Sequence, residues 1–211
     1  MKKKVTIVDY GLGNIVSAHQ SFLKVIQDKN IEAQVIISDE PNEIRTSSHI
    51  VLPGQGAFKS CMSGLKNIFG MIDTLEYSVL KNKIPFLGIC VGMQLLADDG
   101  YENGTHKGLG WIKGSIRKLN VKNLKLPHMG WNNVNVVNNS FKMNFIEENK
   151  DFYFVHSYFF DCFNDDNIIA KTKYGLNFPS IVGKENIYGV QFHPEKSSEQ
   201  GLQLIENFLS L

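Results

Sequence analysis

Strand and helix patterns alternate along this chain in a way that predicts an α/β fold. The expected architecture is an open, mostly parallel central sheet flanked by helices, with antiparallel strands added in the second half. Up to Ala97, short β-branched runs ended by turn residues alternate with helical stripes. Beyond it, short strand patterns are separated by Asn, Asp and Gly clusters. The 211 residues are 43% hydrophobic and 20% charged, so the chain can bury a core without disulfide or metal staples. It reads as a single domain, 1–211.

Val5–Val8 is the first buried strand, and Asn14–Ile26 a helix with Ile15, Ala18, Phe22, Val25 and Ile26 on one face. Ala33–Ile37 and Ile50–Leu52 are strands, the latter ended by Pro53-Gly54. Phe58–Leu80 is helical in two pieces broken at Gly70. Phe86–Ile89 is a strand, and Met93–Ala97 opens a helix. Strands are then expected at Ser115–Leu119, Val134–Val137, Phe152–Tyr158, Ile168–Tyr174, Ser180–Val182 and Tyr188–Phe192. A terminal helix follows, with Ser197 and Gln200 as a capping box and Leu202, Ile205, Phe208 and Leu209 on its buried face.

Several function classes drop out. A net charge of +1 supplies no field for nucleic acid. The apolar run behind the basic N-terminus stops at Asp9, too short for a signal peptide, and no stretch is long enough to span a membrane. Cys61, Cys90 and Cys162 are odd in number and lack zinc spacing, which points to a reducing cytoplasm. His19, His49, His106 and His128 are scattered, so no metal site is expected. Asp9–Asn14 is not a dinucleotide fingerprint, because Val16 stands where a third glycine would be.

The strongest chemical signal is Gly88-Ile89-Cys90-Val91-Gly92, where a strand runs into one cysteine with glycines two before and two after. That is the pattern of a nucleophile elbow. It would put the sulfur at a helix N-terminus, which favours thiolate, and aim the Val91 N–H at a developing oxyanion. A cysteine nucleophile needs a base, and His193 follows a strand with Glu195 two residues on, able to orient the imidazole. Pro53–Phe58 follows another strand and offers free N–H groups. Pro127–Asn132 reads as a polar-aromatic loop, and His156 as a satisfied structural histidine in a strand. Cys61 and Cys162 read as packing.

Together these segments resemble the class I, triad-type glutamine amidotransferases. D-Y-G-L-G-N at 9–14, P-H-M-G-W-N at 127–132, F-V-H-S-Y at 154–158 and Q-F-H-P-E-K-S-S at 191–198 narrow the resemblance to the glutaminase subunits of imidazole glycerol phosphate synthases. The resemblance implies Cys90 as nucleophile toward L-glutamine, His193 as base and acid, and Glu195 as its orienting group. It implies an oxyanion hole from Val91, Gly54, Gln55 and Gly56. Gln94, His156, Ser157 and Tyr158 would hold glutamine, and Asn14, Trp131 and Lys196 would face a partner. That partner would be a (β/α)8-barrel cyclase in a heterodimer, using the ammonia in histidine biosynthesis. No cofactor is implied. Gln55 and Ile15-Val16-Ser17 depart from residues frequent in the family, and they bear on partner and pathway more than on the reaction. A paralogous subunit feeding bacterial surface-sugar amidotransfer, a γ-glutamyl hydrolase and a degenerate regulatory module are the alternatives.

Overall fold

The β-branched runs of the first half become parallel strands because helices cover their faces. The computed structural model describes residues 3–138 and 149–211. The first half runs β1 (Lys3–Val8), α1 (Ile15–Asp28), β2 (Ala33–Ser38), α2 (Pro41–Arg45), β3 (His49–Gly54), α3 (Phe58–Asn67), α4 (Met71–Glu76), β4 (Phe86–Cys90) and α5 (Val91–Gln94). The rest runs β5 (Asp99–Gly100), β6 (His106–Lys107), β7 (Gly114–Lys118), β8 (His128–Val136), β9 (Lys150–His156), β10 (Tyr158–Cys162), β11 (Ile168–Tyr174), β12 (Leu176–Lys184), β13 (Ile187–Val190) and α6 (Ser198–Leu209). Among these residues no helix is long and apolar enough to cross a membrane.

The large sheet has nine strands in the order β2-β1-β3-β4-β13-β12-β11-β8-β9. The first five are parallel to one another, and the remainder join antiparallel, as the sequence pattern predicts. Parallel strands end on one edge of a sheet, where loops can gather a site. Here Gly54 of β3 is level with Cys90 of β4, and β13 lies on the other side of β4. Helices α1 and α6 pack together, with Phe22 edge-on to Phe208 at 6.3 Å between ring centroids.

Four local expectations are corrected. The run Phe152–Tyr158 is not one strand: it breaks at Ser157, and β10 leaves for a second, four-stranded sheet ordered β10-β7-β5-β6. The segment around Pro127–Asn132 is not a loop, because all but Pro127 lie in β8. Its alternation is real but hidden: Met129 and Trp131 point to solvent, while the opposite face carries His128, which is buried, and polar Asn132. Helix α5 lasts one turn, not five residues or more. Leu95, Leu96 and Ala97 are buried and turn the chain toward β5. Ser197 forms no capping box; its hydroxyl donates to the His193 carbonyl (2.6 Å) and accepts from the Tyr153 N–H (3.0 Å).

Candidate active site

The strand-to-helix turn at Cys90 is built by close backbone approach. A Cβ on Gly92 would lie 1.8 Å from the Leu52 carbonyl oxygen of β3, and one on Gly88 2.6 Å from the Gly92 oxygen. Only glycine lets α5 press onto β3 and β4 this tightly. Cys90 itself takes φ 55°, ψ −110°, a backbone state that non-glycine residues hold only when their surroundings enforce it. Val91 is the first residue of α5, so its N–H is among those a helix leaves without an internal acceptor. A one-turn helix adds little dipole, so those N–H groups matter more here than the macrodipole.

The loop after β13 carries the histidine. His193 Nδ1 donates to Glu195 Oε1 at 2.8 Å, and both side chains are buried. Their meeting is made by a tight helical turn at Pro194–Lys196, not by the extended backbone that the i, i+2 spacing suggests. Asn14 Nδ2 donates to the same oxygen at 3.3 Å. Thus Asn14, expected at a partner face, touches the carboxylate that orients the imidazole. His193 Nε2 has no hydrogen-bond partner among the described residues. Burial alone lowers the imidazole pKa, but the attraction of a negatively charged Cys90 sulfur and then of Glu195 outweighs it and pushes the value up to about 10.

Beside Cys90 lies a cavity of about 310 Å³. Gln55 and Gly56 border it from the loop after β3, and Cys90, Val91 and Gln94 from the elbow. His156, Ser157 and Tyr158 form its wall at the β9–β10 break, and His193 and Lys196 close it. Gly54 sits behind the elbow, where a Cβ would meet the Gly92 nitrogen at 2.5 Å. Trp131 stands outside, 55% exposed, edge-on to Tyr153 at 6.2 Å. Lys196 Nζ lies 6.0 Å over the Tyr153 ring.

Residues 7–211 match the family described as glutamine amidotransferase class-I. This chain belongs to that family. It is 50% identical over 210 residues to a Pelagibacter ubique protein named imidazole glycerol phosphate synthase subunit HisH, covering 98% of this chain and 99% of that one. A Rhodospirillum rubrum protein of the same name is 42% identical over 209 residues, covering 98% of each. A crystal structure described as a glutamine amidotransferase superposes with a TM-score of 0.72 at 14% identity, covering 98% and 99% of the two chains. A glutamine amidotransferase from Thermotoga maritima gives 0.64 at 20% identity, covering 100% and 84%. At those identities the two structures speak for the fold alone.

The tertiary structure brings further residues to this amidotransferase's site that sequence reasoning missed. Gln191 is fully buried; its Nε2 lies 3.8 Å from Cys90 Sγ, and its Oε1 accepts from Gln94 Nε2 at 3.1 Å. An extended i, i+2 alternation read backwards from His193 would have put Gln191 on the His193 side. Glu102 borders the cavity and accepts the Phe58 N–H at 2.7 Å, serving as an anchor for α3, whose own N-cap residue Ala57 has no side-chain acceptor. Tyr10 donates to the Pro53 carbonyl at 2.7 Å, and the Cys61 thiol to the Gln55 carbonyl at 3.6 Å. Cys61 is core packing as expected, with a contact to the loop besides. No local pattern announces Glu102, Tyr10 or this Cys61 contact.

Proposed function

We propose that this chain is the glutaminase subunit of an imidazole glycerol phosphate synthase, a single cytoplasmic glutaminase domain over 1–211. The carrying observation is the Cys90 elbow opening on the cavity with the His193–Glu195 pair beside it. The names borne by relatives at 50% and 42% identity support the pathway. Cys90 attacks the side-chain amide carbon of L-glutamine as thiolate. The carbonyl oxygen becomes an oxyanion facing N–H groups of Val91 and the Gly54–Gly56 loop. Collapse of that intermediate expels ammonia, protonated as it leaves by the His193 imidazolium, and gives a γ-glutamyl thioester. His193 then takes a proton from water, hydroxide attacks the thioester, and glutamate departs as the thiolate returns. Glu195, itself held by Asn14, keeps the imidazole oriented.

Gln94, His156, Ser157 and Tyr158 are the glutamine-holding wall in this reading. Ammonia passes to a (β/α)8-barrel cyclase that docks against the face bearing Trp131 and Lys196. Glutaminase assays on the chain with and without that cyclase test the proposal. Glutamate release is expected in the complex and is abolished by Cys90→Ala. The gene should also restore growth without histidine, at low ammonium, to a strain lacking this glutaminase. Failure of that rescue with glutaminase chemistry intact would favour the surface-sugar pathway instead.

A further inference from the structure

Two buried histidines outside the Cys90–His193–Glu195 set are joined by an unbroken hydrogen-bond chain. His156 Nδ1 lies 2.9 Å from the Tyr158 carbonyl oxygen, and His156 Nε2 lies 2.9 Å from His128 Nδ1. His128 Nε2 is 3.1 Å from Asn132 Nδ2, which also donates to the Lys173 carbonyl at 3.1 Å. The direction of every bond follows from one end. A carbonyl only accepts, so His156 must donate from Nδ1. Burial, with the neighbouring His128 and His193 adding to it and the bond to the Tyr158 carbonyl only partly opposing it, leaves His156 with a pKa of about 3, so it is neutral and its Nε2 can only accept. His128 must then donate from Nδ1; its own pKa, lowered by burial to about 4, keeps it neutral, so its Nε2 accepts from Asn132. The Asn132 Oδ1 accepts the Asn133 N–H at 2.8 Å, which orients the amide independently.

The chain ends on the cavity wall. The Tyr158 oxygen takes a second bond from Gln94 Nε2 at 3.1 Å, and Gln94 connects through Gln191 to the Cys90 sulfur. The wall at Ser157–Tyr158 is therefore spaced from the nucleophile by bonds that depend on one tautomer of His156. Aromatic packing locks the rings that set it: His128 stacks on Tyr174 and Phe154, with centroids 4.0 and 4.8 Å away.

We infer that His128 and Asn132, neither of which borders the cavity, are positioning residues for glutamine: they hold His156 as the Nδ1–H tautomer and thereby the Tyr158 carbonyl in place. This rests on the glutaminase reading above. It assigns work to two polar residues of β8 on the strand face opposite exposed Trp131.

Two substitutions separate positioning from packing. His128→Phe keeps the stack but has no donor for His156. His128→Asn loses the ring but keeps an amide donor near the Nδ1 position. Steady-state glutamine hydrolysis by the complex with its cyclase should show KM raised about five- to tenfold in the Phe variant, with kcat within about twofold. The Asn variant, though the less stable to heat, should recover most of that KM. Asn132→Ala, at a half-buried position that puts folding at little risk, should raise KM by about two- to fivefold. Nitrogen-15 shifts of both rings should report the Nδ1-protonated form at neutral pH. A wild-type KM in the Phe variant, a KM for Asn above that for Phe, or an Nε2-protonated His156 overturns the inference. If the His128 variants do not fold, an unchanged KM in Asn132→Ala overturns it. Wild-type protein inactive on glutamine would instead refute the glutaminase reading, while the nitrogen-15 result would still decide the tautomer.

Discussion

A methyl group added at Gly92 tests the elbow most directly. Its Cβ would lie 1.8 Å from the Leu52 carbonyl oxygen, against about 3.4 Å for ordinary contact, and the atom it meets is backbone in the middle of the sheet. Helix α5 must therefore retreat from β3 by roughly 1.6 Å, carrying Val91 with it. Overpacking of this kind costs about 1–3 kcal/mol of stability or more. A displacement near 1 Å at reacting groups costs about a hundredfold in rate. Gly92→Ala is thus expected to lose at least about a hundredfold in kcat/KM, or about 2.7 kcal/mol of transition-state stabilisation. Gly88→Ala is the graded companion: its Cβ starts 2.6 Å from the Gly92 oxygen, so roughly half the retreat relieves it. It should cost less on both measures. Denaturant unfolding gives the stability change and glutamate release gives the rate. A Gly92→Ala enzyme with wild-type kcat/KM, or one less affected than Gly88→Ala, would refute the argument that close approach positions the nucleophile.

Glu195→Gln should lower kcat about a hundred- to a thousandfold with KM little changed, because the amide no longer selects the Nδ1–H tautomer or supports the imidazolium. The basic limb of the pH profile, set by a His193 pKa of about 10, should move to lower pH in that variant. Ser197→Ala should destabilise by about 1–3 kcal/mol, since it strands the Tyr153 N–H and leaves the His193 carbonyl only its bond from the Lys196 N–H; calorimetry measures it, and a loss under 0.5 kcal/mol would argue against the tie. Acid should destabilise the fold through three buried histidines. His49 and His128 are lowered by burial to about 4 and His156 to about 3, while unfolded histidine binds protons near 6.5. Their contribution is present above pH 6.5 and is lost as pH falls toward 4, at up to about 3 kcal/mol each. Unfolding midpoints between pH 7 and 4 should fall accordingly. His193 has the opposite sign: its stabilisation is full below pH 6.5 and is lost as pH rises through 10.

What the sequence by itself determined is whatever rests on local pattern. The β-branched runs and their helical partners predict the parallel half of the sheet, because periodicity reports which faces are buried. Gly88-x-Cys90-x-Gly92 and His193-Pro194-Glu195 carry chemistry legible over three to five residues. What only the tertiary structure decided depends on residues far apart in the chain. The split of the Phe152–Tyr158 run between two sheets follows from which partner strand is available, and β10 finds β7. The strand character of His128–Val136 is masked because its inward residues are polar; they are satisfied by His156 and Lys173, which no local window contains. Ser197 looked like a helix cap and is instead a tie between β9 and the His193 loop. Likewise Glu102 and Asn14 reach the site through single long-range hydrogen bonds, and Gln191 through two. Hydrophobic pattern is a property of neighbours along the chain, whereas the partner of a buried polar group is set by the fold as a whole.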